Sequence, residues 1–171
     1  IALFTKNKSR SLMDHLSNGK PWDIYHKKEG LKVFNFGDFD PKHDDISNFV
    51  DNIDHIKKAK KEYTLVCSSY MICNIDYKEA IRYHIKSKND ITIIYKNVYN
   101  ADKCFFEGEV LNINDDNRVI SIGENVGREK EAKINMEMYI MKADLFISII
   151  HECIKKGIHT KIKRYMADSL T

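Results

Sequence analysis

The stretch Tyr63-Thr64-Leu65-Val66-Cys67-Ser68-Ser69-Tyr70-Met71-Ile72-Cys73-Asn74-Ile75-Asp76-Tyr77 decides the fold. Its first five residues read as a buried strand, and the small, polar run Cys67-Ser68-Ser69-Tyr70 reads as the turn that ends it. Residues 77–87 then place Ala80, Ile81, His84 and Ile85 along one helical face. Asp76 stands where an N-cap belongs, and residues 91–95 form another apolar strand. Strand, helix and strand of these lengths make a βαβ unit. In open α/β sheets ligands collect where the chain leaves the carboxyl end of a strand, so the turn after Cys67 is the first place to seek a site.

Working outward, the pattern continues to alternate. Residues 1–4 read as a short strand, and Ser9 or Ser11 caps a helix over 12–16 that Gly19 and Pro21 stop. Residues 31–36 alternate as a strand, and 37–45, rich in Gly, Pro and Asp, form a loop. Ile46, Phe49, Val50, Ile53 and Ile56 recur at helical spacing. Strands are predicted at 110–113, 119–122 and 134–141, with a turn at Asp115-Asp116-Asn117 and a helix over 143–156. The fold class is therefore α/β, with a mixed, mainly parallel sheet.

The 171 residues, 43% hydrophobic and 31% charged, suffice for one ordinary core. Twenty-eight basic residues against 25 acidic ones leave a net charge of +3, too small and interspersed to imply nucleic-acid binding. No apolar run approaches the roughly 20 residues that cross a bilayer, and no leader-like segment opens the chain. A cytoplasmic protein without membrane contact is expected. Cys67, Cys73, Cys104 and Cys153 show no C-x-x-C pair or metal-ligand spacing and read as reduced thiols. The lysines near 57–61 and the cations of 155–164 sit at helix ends, where they complement the dipole; the other reading is a patch for an acidic partner or a phosphate.

Three segments carry a family resemblance. The Asp76-Tyr77 pair fixes a register in which residues 63–77 resemble the sugar-nucleotide-forming nucleotidyltransferases, ADP-glucose pyrophosphorylase (glucose-1-phosphate adenylyltransferase) among them. Catalytic members read strand, Ser-Gly-Asp-His-Ile-Tyr, two residues, Asp-Tyr. The run Ser11-Leu12-Met13-Asp14-His15-Leu16, followed by Gly19-Lys20 and Trp22-Asp23, is similar to another family segment. Asn135, Met136 and Tyr139 match the family's Ala-Ser-Met-Gly-Ile-Tyr strand, with Asn135 in the serine's place. The segment from Ser68 to Tyr77 is similar in detail to the D-type, non-catalytic glycogen-biosynthesis subunit.

The resemblance implies a three-layer, Rossmann-like nucleotidyltransferase sandwich. It also implies that residues 1–171 are part of that domain, without its N-terminal glycine-rich loop and without the C-terminal β-helix domain. Ser68 keeps the motif serine, but Tyr70 occupies the metal-binding aspartate position. A phenol with a pKa of about 10 is no hard anionic ligand; alternatively Tyr70 simply fills the unused pocket. Glu124 matches the glutamate of Phe-x-Glu-Lys-Pro, while Asn125 replaces its phosphate-binding lysine. Asp44 and Asp45 stand in a nucleotide-contacting turn, and the family's Asp-Phe-Gly-Lys-Asp falls near residues 161–165 without either aspartate.

The substrate-binding positions implied are thus Ser68, Glu124, Asn125 and Asn135, with no catalytic residue and no metal ligand. Mg2+ is expected in catalytic relatives and none in this fragment. The implied role is a regulatory or non-catalytic subunit that forms a hetero-oligomer with a catalytic subunit in glycogen biosynthesis, inactive by itself, with a sugar phosphate as a candidate effector. Two alternatives stay open. One is an active sugar-1-phosphate nucleotidyltransferase whose metal carboxylate lies outside these residues. The other is a sugar-phosphate sensor without chemistry that uses Glu124, Asn125 and Asn135.

Overall fold

A computed structural model describes residues 1–6, 9–16, 30–36 and 45–157. The chain divides into two compact units, residues 1–60 and 61–171. The Asp44 reading and the 161–165 motif fall outside the described residues.

In the first unit, β1 (Ala2–Lys6) and β2 (Lys32–Phe36) pair in parallel, Phe4 opposite Phe34. A parallel pair needs a crossover, and α1 (Arg10–Leu16) lies within it. Phe4 stacks on Phe34 at 5.2 Å and meets Phe49 edge-on at 5.0 Å, while His55 tilts against Phe34 at 5.2 Å. Phe49 and His55 belong to two helices, α2 (Asp45–Asp51) and α3 (Ile53–Ala59), where the periodicity predicts one. The break falls at Asn52, whose amide donates to the Asn48 carbonyl at 3.0 Å. A side chain that bonds the turn below it competes with the backbone ladder. Lys57 and Lys58 do occupy the last turn of α3.

The second unit is a five-stranded sheet. Its strands are β3 (Tyr63–Cys67), β4 (Ile91–Val98), β5 (Glu109–Ile113), β6 (Val119–Glu124) and β7 (Ala132–Lys142). The helices α4 (Tyr77–Ser87) and α5 (Ala143–Lys155) follow β3 and β7. β7 is the organising strand, antiparallel to β4 along one edge and to β3 and β5 along the other. β3 and β4 therefore run in the same direction, as a βαβ unit requires, but flank β7 rather than bond to each other. The α/β fold is present with both parallel and antiparallel pairing. The larger sheet is antiparallel because β7 inserts between the two strands that would otherwise be parallel neighbours. Ile134, Met138, Ile140 and Met141 of β7 are buried together with Phe146 and Ile150 of α5. The methionines are core residues, as their position in an alternating strand predicts.

Asp76 caps α4, accepting from the backbone N–H of Lys78 at 2.8 Å and of Glu79 at 3.2 Å. His84 is buried, its ring edge-on to Tyr63 at 5.5 Å and its Nδ1 2.7 Å from the Thr92 hydroxyl. At the β5–β6 hairpin, the Asn114 side chain accepts from the N–H groups of Asp116 and Arg118, and Asn117 sits at φ 59°. That left-handed residue lets the strands turn back.

The main irregularity lies in β7. Ile94 pairs with Met138 but Tyr95 pairs with Asn135, so Met136 and Glu137 bulge out of the ladder. Glu137 adopts φ 51°, uncommon for a residue with a side chain. Asn135, fully buried, holds the bulge: its oxygen accepts from the Glu137 N–H at 2.8 Å. Its amide donates to Glu109 Oε2 at 2.8 Å and to the Tyr139 hydroxyl at 3.0 Å.

Three measurements check this description. Burial lowers the His84 pKa, and Lys142 acts in the same direction against the opposing pull of Asp90. The folded pKa thus lies below the unfolded one, so the His84 contribution is complete above about pH 6.5 and is lost as pH falls through the folded value. The urea midpoint should drop on acidification through this window, and His84→Gln should flatten that drop. Asn117→Val should lower stability by about 1–2 kcal/mol in urea melts while Asn117→Gly leaves it unchanged or higher. Asn135→Ala removes a partner from three groups at once and should cost about 2–4 kcal/mol; a loss below that of an ordinary surface substitution would discount the bulge network.

Candidate functional site

The chain leaves the sheet at Cys67, which pairs with Met138. The next residue, Ser68, donates its backbone N–H to the Glu137 carbonyl at 3.1 Å. The strand end is thus tied to the bulge of β7. Residues 71–76 have no regular structure and return the chain to the capped start of α4. Tyr70 is 59% exposed and Ile72 97% exposed. More than half of the Tyr70 surface thus stays open at the turn.

Three of the residues singled out in the sequence, Ser68, Asn135 and Glu124, belong to a polar row linked through β7 and β5 to β6. Ser68 bonds Glu137 on β7, Glu137 bonds Asn135, and Asn135 bonds Glu109 on β5. Glu109 is paired directly opposite Glu124 on β6, which is exposed. The residue after β3, two residues of β7 and one each of β5 and β6 thus make up the row. Glu109 and Glu137 were missed by the sequence reading. Glu137 stands at the glycine of the Ala-Ser-Met-Gly-Ile-Tyr pattern, and a glycine position that demands positive φ was the available signal. Glu109 carried none, since only the hairpin register sets it against Glu124.

Asn125 follows the row in sequence but turns away from it. It is 6% exposed, and its amide donates to the carbonyls of Ala101, Cys104 and Phe105 at 2.9, 2.9 and 3.0 Å. Two amide hydrogens serve three acceptors, and its oxygen takes the Gly127 N–H at 3.0 Å. Gly127 must be glycine: its φ is +75°, and a Cβ there would lie 2.6 Å from the Phe106 ring. Asn125 is therefore the clamp of the 101–108 loop, and its polar atoms are already committed. Asn135 is likewise fully engaged by protein groups. Of the four expected binding residues, Glu124 is exposed and Ser68 half-buried, while both amides are buried.

A hard divalent cation takes oxygen ligands, chiefly carboxylates. The strand end presents the Ser68 hydroxyl, the Tyr70 phenol and the Met71 thioether. These donors do not fit Mg2+ at the Tyr70 position. Among the described residues no group of three His, Cys, Asp or Glu side chains is placed to hold a metal ion.

A second concavity lies beside α4. A groove of about 920 Å3 opens between the start of α4, β4 and the β5–β6 hairpin, lined by Ile75, Asp76, Tyr83, Ile93, Tyr95 and Arg118 among others. Its lining comes from four separate segments, so no motif announces it. Among the described residues no helix is long and apolar enough to cross a membrane.

Comparison with known proteins gives a consistent answer. The family model described as Nucleotidyl transferase matches residues 1–168. "Glycogen biosynthesis protein GlgD" of Bacillus subtilis is 31% identical over 99 residues, 56% of this chain and 29% of that protein. "Glucose-1-phosphate adenylyltransferase" of Clostridium novyi is 28% identical over 150 residues, 82% of this chain and 37% of that protein. The chain thus spans well under half the length of these relatives. The crystal structure of HddC from Yersinia pseudotuberculosis shares the fold, with a TM-score of 0.64 at 22% identity over 89% of this chain and 58% of HddC. With a family match over nearly its whole length, this chain belongs to the nucleotidyl transferase family.

Proposed function

We propose that the chain is part of the nucleotidyltransferase domain of a non-catalytic, regulatory subunit of glucose-1-phosphate adenylyltransferase, acting in glycogen biosynthesis in the cytoplasm. The observation that carries this reading is the carboxyl end of β3, where Ser68, Ser69 and Tyr70 stand at the family's Ser-Gly-Asp. Catalytic relatives require Mg2+ there to offset triphosphate charge, and a neutral phenol supplies no such ligand. Asn125 weakens the second charged contact, because charge-assisted hydrogen bonds to a phosphate are roughly twice as strong as neutral ones. A subunit that keeps the frame without these charges acts through its contacts, by biasing the conformation of a catalytic partner with which it forms a hetero-oligomer.

A second reading has one observation in its favour: similarity to the Clostridium novyi adenylyltransferase extends over 82% of the chain, against 56% for the GlgD protein. In that reading the full-length protein is an active nucleotidyltransferase whose metal carboxylate comes from another segment. A sensor that grips a sugar phosphate through Asn125 and Asn135 has less support, since both amides are spent on protein groups.

The deciding experiment is adenylyl transfer from ATP to glucose 1-phosphate by the full-length protein, alone and mixed with a catalytic subunit, with Tyr70→Asp alongside. Alone, the protein should turn over at least about a thousandfold more slowly than the catalytic subunit, the factor that matches several kcal/mol of lost metal stabilisation. In the mixture, the rate or its response to effectors should change. Robust turnover by the unmixed wild type would overturn the proposal.

A further inference from the structure

Of the two histidines described in the second unit, His151 on α5 is exposed, whereas His84 on α4 is only 2% exposed. His84 is also the one buried residue of its helix. On the same face Ala80 and Ile81 are half-buried, and Ile85 is exposed. A helix is ordinarily held to a sheet by an apolar stripe. At the centre of its contact α4 has a titratable ring instead.

That ring reaches two strands. Nδ1 lies 2.7 Å from the Thr92 hydroxyl of β4, and the ring meets Tyr63 of β3 edge-on at 5.5 Å. The charged groups that act on it are Asp90, in the turn between α4 and β4, and Lys142, at the end of β7, which α4 also touches. A neutral imidazole offers one N–H and one acceptor, whereas the imidazolium offers two N–H groups. Thr92 can accept from one of them. The second N–H and the positive charge are left in a seam that Tyr63 lines, with Lys142 repelling and Asp90 attracting. A charge taken out of water without full pairing is costly, and here burial outweighs the pull of Asp90.

We propose that His84 is a proton-operated latch: on taking up a proton it releases α4 from β3 and β4, and with α4 the loop that ends at Asp76. Release lets water reach the charged ring and gives up the Tyr63 contact. A free helix of 11 residues is marginal in water, so α4 unwinds once its anchor lifts. Residues 71–76 then lose the capped end that holds them, while Ser68 keeps its bond to Glu137. The placement of Tyr70 thereby depends on the protonation of a ring outside its loop. The neutral ring holds α4 down, and release grows as pH falls below about 6.5, by at most about tenfold per pH unit for uptake of one proton. This switch goes beyond the regulatory reading and stands whether or not that reading holds.

The test is amide hydrogen exchange of the full-length protein from about pH 7.5 down to about pH 5, the range in which histidine titrates, corrected for the intrinsic pH dependence of exchange. The amides of Ala80 and Lys88, bonded to the carbonyls of Asp76 and His84, report the helix, and residues 138–142 of β7 report the sheet. Exchange at Ala80 and Lys88 should accelerate by about tenfold while 138–142 stays protected. His84→Gln, which keeps a hydrogen-bonding side chain without a titratable group, should remove the acceleration. A proton NMR titration of the wild-type ring serves whether or not that variant folds: His84 should titrate in step with the loss of protection in α4. Equal loss of protection in α4 and in 138–142, the same acceleration in folded His84→Gln, or a ring that titrates while α4 stays protected would overturn the proposal.

Discussion

The side-chain amide of Asn135 is the contact on which the sheet of the second unit depends. β7 pairs with three strands, and at its middle it must absorb two extra residues without losing any of them. A buried polar group without a partner costs about 1–3 kcal/mol, so a bulge in the core of a sheet persists only where its freed groups are met. Asn135 meets them from within the same strand. Its oxygen takes the Glu137 N–H, the Glu137 carbonyl takes Ser68, and its amide ties Glu109 and Tyr139 to the bulge. One residue thereby sets the end of β3, the placement of β5 and the left-handed turn of Glu137. The serine of the family pattern has one hydroxyl for the same position and cannot make three such bonds in three directions.

Much of this was legible in the sequence, and the reasons differ by element. β3 and α4 could be read to the residue, because a short apolar run ends in small polar residues and Asp76 is a local cap whose partners are two and three residues away. The burial of His84 followed from its place on an apolar helical face. The helix break at Asn52 was not legible. Asparagine is tolerated on a helix, and only the bond from its amide to Asn48 shows that it competes with the ladder here. The mainly parallel sheet was overestimated for a similar reason: strand–helix–strand fixes the relative direction of β3 and β4, but not which strand comes between them.

The site was legible as a set of positions and not as a set of roles. Ser68 follows β3, Asn135 lies on β7 and Glu124 on β6, and a chain of bonds and strand pairing through Glu137 and Glu109 links them. The direction of each side chain depends on segments far away in sequence. Asn125 points into the 101–108 loop because that loop folds back with Phe105 and Glu107 in left-handed conformations, leaving three carbonyls in need of a donor. No local pattern contains that need.

The row also constrains what could rest against it. Glu109 and Glu124 lie directly opposite on adjacent strands, and like charges at the ~5 Å typical of such pairs repel by about 1 kcal/mol even in water-like surroundings. An incoming phosphate dianion adds to that repulsion instead of relieving it. Turning Asn125 outward to greet the phosphate would abandon three carbonyls and the Gly127 N–H, and an amide brings no charge in return. The bonds that stabilise the frame therefore oppose recruitment of the same residues by an anionic ligand. A nucleotidyltransferase frame with its polar groups turned inward is suited to presenting a fixed surface, and the proposed role as a partner subunit asks for that property and not for a charged cleft.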